Sequence, residues 1–238
     1  MTDSRTEEIA AAFGRLRERI GQACAAVGRT ADDVHIIAVT KTYPAEDVAR
    51  LARLGIRDIG ENRDQEAARK VQALQDLKNV QDHPVRWHFV GRLQTNKARS
   101  VARYADVVHS VDRVDLVTAL ARGAENAGRS LDCLLQLSLD PQPGRGGVAA
   151  AELEPLAEQM LGTERLRLRG VMAVAPLDAD PDEAFARLAD IAAGLRAVYP
   201  QATWISAGMS ADLESAIRHG ATHVRVGAAL LGRRSRLR

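Results

Sequence analysis

Residues 34–61, VHIIAVTKTYPAEDVARLARLGIRDIGE, carry one full unit of a pattern that repeats to the end of the chain. VHIIAVT (34–40) is short, apolar and β-branched, as a strand buried on both faces should be. AEDVARLARLG (45–55) has helical apolar spacing and closes on Gly55. RDIGE (57–61) is the next short strand. Outward from this unit, helices are expected at 62–76, 95–104, 113–128, 151–161, 181–200 and 210–220, the last with Ser or Asp at its cap and Gly220 at its end. Strands are expected between them at 86–91, 106–112, 131–140, 167–176, 203–208 and 223–227. Toward the N-terminus, Thr6 to Val27 places Ile9, Phe13, Leu16, Ile20 and Ala23 on one helical face. Pro155 is expected in the first turn of its helix, where a missing N–H is tolerated.

Strict strand–helix alternation implies a parallel sheet with right-handed crossovers. Eight such strands in 238 residues favour a closed (β/α)8 TIM barrel, a fold of about 250 residues. The leading helix is expected to pack where an eighth helix would otherwise lie. An open doubly wound sheet is the alternative, but no G-x-G-x-x-G follows the first strand. Residues 1–238 are expected to form a single domain, with an N-terminal helical segment at 1–30 and a frayed basic tail at 233–238.

Composition narrows the function classes. No run of about 18 apolar residues is present, so no membrane-spanning helix is expected. MTDSRTEEIAAAFGRL has acids early and lacks the apolar region of a secretory signal. Two distant cysteines, Cys24 and Cys133, exclude a disulfide framework and a cysteine zinc cluster, and fit a cytoplasmic location. Cys24 is expected in the core. A formal net charge of +2 makes no case for nucleic acid. His35, His83, His219 and His223 lack metal-ligand spacing and read as surface or packing residues. Of the 33 basic residues only Lys41, Lys70, Lys78 and Lys97 are lysines. A chain this rich in arginine makes each lysine worth a question, because Lys can condense with an aldehyde and Arg cannot.

In a barrel the active site lies at the C-terminal strand ends. Lys41 follows IIAVT there. It is either a solvated charge at the mouth or a partly desolvated amine that reacts with an aldehyde. Gly208 and Ser210 after the seventh strand, with Gly227 and Ala228 after the eighth, stand where barrels bind phosphate. The plainer reading of those glycines is a pair of tight turns. Together with Lys41 they point to an aldehyde carrying a phosphate. Alternation puts His223, Arg225 and Gly227 on the inner face and Val224 and Val226 toward the helices. A buried Arg225 needs an acceptor. A strand-end acid such as Glu61 is one, and the pyridine nitrogen of pyridoxal phosphate (PLP) is another. An Arg there keeps that nitrogen unprotonated and weakens the ring as an electron sink.

Six stretches carry a resemblance: AVTKTYPAEDV (38–48), IGENRDQEA (59–67), WHFVGRLQTNK (87–97), HSVD (109–112), GVMAVAP (170–176) and SAGMSADLESAIRHGATHVRVGAALLG (206–232). In this order, over nearly the whole chain, they resemble the pyridoxal phosphate homeostasis protein family. That family is similar in fold to the N-terminal barrel of alanine racemase and lacks that enzyme's second domain. The resemblance implies that Lys41 forms the internal aldimine, that Asn62 lies beside the ring and that Arg225 faces the pyridine nitrogen. It implies a phosphate set of Ser210, Gly227 and Ala228, with Ser206 and Met209 close by, and His88 one layer behind. Three positions depart from the family pattern: Tyr43 and Arg145 where lysines are usual, and Arg63 where Tyr is frequent. They bear on how the cofactor is handed on.

Racemisation needs a base on each face of the substrate carbon. Lys41 can serve one face, and nothing replaces the domain that supplies the other in alanine racemase; the direction of Tyr43 is open. The expected function is therefore a non-catalytic, monomeric carrier that binds PLP on Lys41 and serves its homeostasis and delivery to apo-enzymes. The alternatives are a PLP-dependent amino-acid racemase and a cofactor-free Schiff-base aldolase acting on a sugar phosphate.

Overall fold

A computed structural model describes residues 3–76, 83–139 and 146–232. Its first half runs α1 (Ser4–Ala25), β1 (His35–Val39), α2 (Ala45–Arg53), β2 (Asp58–Glu61), α3 (Asp64–Asp76), β3 (Arg86–Phe89), α4 (Ala98–Val101) and β4 (Val107–Val111). The second half runs α5 (Val114–Asn126), β5 (Leu131–Gln136), α6 (Ala150–Leu161), β6 (Leu166–Met172), α7 (Pro181–Val198), β7 (Trp204–Ser206), α8 (Leu213–Arg218), β8 (His223–Val226) and α9 (Ala228–Leu231). All eight strands are parallel and pair in chain order. β8 closes on β1 with His35 opposite His223 and Ala38 opposite Val226. The sheet has no edge, so the fold is the (β/α)8 barrel and the open alternative is excluded.

Strand alternation divides the side chains between two environments. In β3, Trp87 and Phe89 join the core between sheet and helices, while Arg86 and His88 point into the barrel and meet Asp132 and His109 there. A small apolar layer of Val107, Leu134 and Met172 fills part of the interior. At the N-terminal floor Trp204 lies under the guanidinium groups of Arg86 and Arg169, each 4.9 Å from its ring. His35 and His223 stack beside it at 4.8 Å, so these two histidines are packing residues. Cys24 is fully buried in the outer core.

The leading helix takes the place expected for it. α1 packs on α8 and α9 and touches α2, burying Ile9, Leu16 and Ile20. α9 is a single turn and leaves room for it. Arg5 of α1 donates to the Leu231 carbonyl (2.9 Å) and to Asp47 of α2 (3.1 Å).

Several local expectations change: β5 ends at Gln136, four residues short of the expected 131–140, α9 is an element the periodicity does not predict, and three further differences have a local cause. Pro155 is the sixth residue of α6, not in its first turn. Glu152 accepts from the Ala149 N–H and starts the helix at Ala150, so Pro155 removes one interior helical bond. The segment 95–104 is a 3₁₀ turn at Thr95–Lys97 followed by one turn of α4, with Arg113 tying down the Leu93 carbonyl and Thr95 hydroxyl at its start. β6 stops at Met172, four residues early, because its partner β7 ends at Ser206 opposite it. The tail at 233–238 and Arg145 lie outside the described residues.

Candidate functional site

Among the described residues, three loop systems at the C-terminal mouth carry the positions singled out above. The first follows β1. Lys41 is exposed there, and the next residue, Thr42, has φ 68°; it is the only non-glycine residue with positive φ among the described residues. A β-branched residue is strained in that region and stays only when its surroundings impose it. The surroundings are Lys70 and two carboxylates. The buried Lys70 ammonium donates to the Thr40 carbonyl (2.6 Å), Glu61 (2.6 Å) and Glu66 (2.8 Å). Glu61 also accepts from the Thr40 hydroxyl, and Glu66 accepts from the Thr42 N–H. Both peptide units flanking Lys41 are thus anchored by one clamp. Burial raises the pKa of Glu61 against the opposing pull of Lys70 and Thr40. Burial would raise Glu66 too, but its bonds to Lys70 and Thr42 leave it lowered.

The second system follows β2 and β3. Asn62 leaves β2 and crosses the exit of β3, where a Cβ on Gly91 would lie 2.4 Å from the Asn62 carbonyl oxygen. The Asn62 Oδ1 is buried and has no hydrogen-bond partner among the described residues. A cleft of about 1330 Å³ opens beside it, lined by Tyr43, Asn62, Arg63, Arg92, Lys97 and Arg113 among others.

The third system joins β7 and β8. Gly208 has φ 87°, and a Cβ there would meet that of Ala216 at 2.7 Å, so the turn requires glycine. Met209, half-exposed, donates its N–H to Asp212 (2.6 Å). Asp212, at the cap of α8, therefore holds the loop and not the helix's own N–H groups. The Ser210 hydroxyl reaches the Ala229 N–H at 3.4 Å and so bridges to the turn Gly227–Ala228. Arg19 of α1 donates to the Ser210 carbonyl (3.1 Å). Ser210, Gly227 and Ala228 come together as one polar rim, with Met209 beside them.

Arg225 points inward, 6% exposed. Its acceptors are the Ser206 carbonyl and hydroxyl, both at 2.7 Å, and the Ala173 carbonyl at 2.8 Å. The ion pair with Glu61 is not formed; Glu61 faces Lys70 in the helix layer instead. Burial lowers the Arg225 pKa to about 10, which still leaves it cationic at neutral pH. Three of its five N–H donors are engaged by described residues. Ser206 is fully buried behind it. His88 is also buried, both ring nitrogens engaged by Asp58 (2.8 Å) and His109 (2.9 Å), and it connects toward Arg225 through His109 and Ser206. The Tyr43 hydroxyl donates to the Gly232 carbonyl, which settles its direction toward the C-terminal end of α9.

Sequence reasoning missed Lys70, Glu66 and Asp58. The scarcity of lysine was a usable signal for Lys70, and its i, i+4 spacing from Glu66 was another. Asp58 alternates with the outward Ile59 in β2, so strand alternation was a usable signal for its inward direction.

Residues 14–235 match the family model described as alanine racemase, N-terminal domain. The chain is 45% identical over 243 residues to the pyridoxal phosphate homeostasis protein of Mycobacterium bovis, covering 97% of this chain and 94% of that one. It is 35% identical to the protein of the same name from Escherichia coli, covering 95% and 97%. Among solved structures it is similar to PipY of Synechococcus elongatus with PLP bound, with a TM-score of 0.80, 35% identity and coverage of 94% and 100%.

Proposed function

The chain belongs to the alanine racemase N-terminal domain family and, within it, to the pyridoxal phosphate homeostasis proteins; from that premise we propose that it binds PLP at the barrel mouth and holds it for delivery without turnover of its own. PLP, when bound, brings a reactive aldehyde and a ring able to accept electrons. Lys41 supplies the amine that takes the aldehyde. Ser210 and the backbone of Gly227–Ala228 receive the phosphate, with Met209 alongside. Asn62, whose buried Oδ1 lacks a partner among the described residues, lies beside the ring. Ser206 and His88 act from behind.

Arg225 carries this reading. It is a buried cation at a strand end whose hydrogen-bond partners among the described residues are all neutral oxygens and engage three of its five N–H groups, which suits an unprotonated ring nitrogen. A site that keeps the nitrogen unprotonated holds the cofactor and drives carbanion chemistry poorly. The Tyr43 hydroxyl, bonded to Gly232, is committed elsewhere than an opposite-face base. We read residues 1–238 as one PLP-binding domain acting as a monomer in the cytoplasm, with PLP-dependent apo-enzymes as recipients. None of the helices among the described residues is long and apolar enough to cross a membrane.

The test is an absorption titration with PLP, followed by borohydride reduction and peptide mapping, on wild type and Lys41→Ala. The expected result is a visible band that reduces onto the Lys41 peptide and is absent from the variant. An adduct spread over Lys70, Lys78 and Lys97 would refute the site. Steady conversion of L- to D-alanine would replace the carrier by a racemase.

A further inference from the structure

Behind Arg225 a line of hydrogen bonds crosses the barrel interior. Arg225 Nη1 donates to Ser206 Oγ (2.7 Å), Ser206 Oγ lies 3.0 Å from His109 Nδ1, His109 Nε2 lies 2.9 Å from His88 Nδ1, and His88 Nε2 lies 2.8 Å from Asp58 Oδ1. The line uses β8, β7, β4, β3 and β2 in turn. Ser206, His109 and His88 are at most 1% exposed. The Asp58 side chain is 22% exposed, and Asp58 lines a second cleft of about 380 Å³ at the N-terminal end of the barrel. One end of the line therefore faces the proposed ligand and the other faces solvent.

Its direction is set from the carboxylate end, and the guanidinium end is compatible with it. A guanidinium only donates, and an ionised carboxylate only accepts. Ser206 accepts from Arg225 on one of its two lone pairs, and with both imidazoles neutral it donates its own proton to His109 Nδ1. His109 then carries its proton on Nε2 and gives it to His88 Nδ1. His88 in turn carries its proton on Nε2 and gives it to Asp58. Every group is satisfied with both imidazoles neutral. Burial pushes the pKa of His88 down and that of His109 well down, which agrees. Burial alone would raise Asp58, but the bond from His88 outweighs it and leaves the carboxyl lowered and ionised. Among the described residues, Arg86 at the floor bonds to Asp132 and His223 to Thr222, with His35 stacked on His223, and none of the three hydrogen-bonds to this line. The neighbouring Val107, Leu134 and Met172 show that apolar side chains fill this interior where no such line is needed.

We propose that Arg225, Ser206, His109, His88 and Asp58 form one directed relay that holds Arg225 as a donor toward the ring nitrogen and couples the N-terminal end of the barrel to the cofactor. Asp58, His88 and His109 are then positioning residues. They act on the ligand through Arg225, because hydrogen bonds in series polarise one another in a low dielectric. The identity of the ligand rests on the function proposed above; the relay itself does not.

Two measurements separate these points. Long-range ¹H–¹⁵N NMR of the ligand-free protein reads the tautomers directly. The expected result is His88 and His109 both neutral and protonated on Nε2. A proton on Nδ1 of either ring, or an imidazolium at pH 7, overturns the relay whatever the ligand is. The second measurement is PLP titration of Asp58→Asn, with Val107→Ala as a control in the same interior that lies off the line. Asp58→Asn is expected to shift the bound-PLP absorption band and to weaken PLP by about fivefold, the low end of coupling between separated sites. Val107→Ala is expected to lower Tm and leave the band in place. An unmoved band and affinity in Asp58→Asn, or an equal shift in Val107→Ala, overturns the coupling. Failure of wild type to take up PLP on Lys41 would instead refute the ligand, with the tautomers still deciding the relay.

Discussion

Two of the chain's four lysines meet at one turn, and they do different work. Lys41 is the exposed amine, and Lys70 is the buried cation that fixes the peptide units around it. Lys70→Met would leave Glu61 and Glu66 facing each other without a counter-charge. Breaking one side of a buried pair costs about 3–5 kcal/mol. The expected outcome in urea unfolding is a loss of that size, with a lower yield of borohydride-trapped PLP on Lys41 as the strained Thr42 turn relaxes. Wild-type stability in Lys70→Met would show that the clamp does not hold the turn. The residue scale is also where sequence reading reached furthest, since scarcity and strand position alone singled out Lys41. Lys70 was equally scarce, but its partners come from two other segments, so its task was not visible.

At the scale of elements, α1 and β6 show how far from the mouth its support extends. α1 carries Leu16, 1% exposed, on its buried face and Arg19 on the rim that holds the Ser210 loop. Leu16→Ala is expected to cost about 2–5 kcal/mol in chemical denaturation, as for other buried leucines. A loss under about 1 kcal/mol would mean that α1 is a loose appendage. Gly170 in β6 has φ 149°, and a Cβ there would sit 1.9 Å from the Trp204 carbonyl oxygen. Gly170→Ala should therefore fall in the rare class above about 4 kcal/mol, read as a collapsed Tm or loss of soluble protein. Normal melting would refute the close approach of β6 and β7. Among the described residues the type of all eight strands and of the longer helices was legible, whereas the short α9 and the element ends were less so. β6 runs short and Pro155 sits deeper in α6 because strand ends depend on the neighbouring strand and helix starts on capping bonds.

For the molecule as a whole, the buried histidines set the acid limit. Burial lowers the pKa of His88 and His109, and takes His223 to about 3. Unfolded histidine titrates near 6.5, so below that pH the unfolded chain binds protons that the folded one refuses. The stability these groups confer is fully present above about pH 6.5 and declines as pH falls, by roughly 1.4 kcal/mol per pH unit for each such histidine until its folded pKa is reached. Asp58 is also lowered, and Arg218 and Ser215 hold Asp182 down at about 2, so further stability is lost below the ordinary carboxylate range. Thermal melts are expected to be flat from pH 8 to 7 and to fall steeply toward pH 5. A flat profile down to pH 5 would mean that the interior imidazoles are already protonated in the folded barrel.

Local periodicity determined the number and order of strands, the barrel, the place of Lys41 at its mouth and the inward direction of Arg225. These are properties of single elements, because a period of two or 3.6 is set by backbone geometry along one stretch of chain. The tertiary structure alone decided who meets whom. Glu61 was a reasonable partner for Arg225 by position, yet it turns outward to Lys70, while Arg225 reaches Ser206 and, through it, Asp58. The physical reason is the stagger of a closed barrel. Which inward side chains share a layer depends on how each strand is shifted against the next and on how the last meets the first, and no single stretch of sequence records that shift.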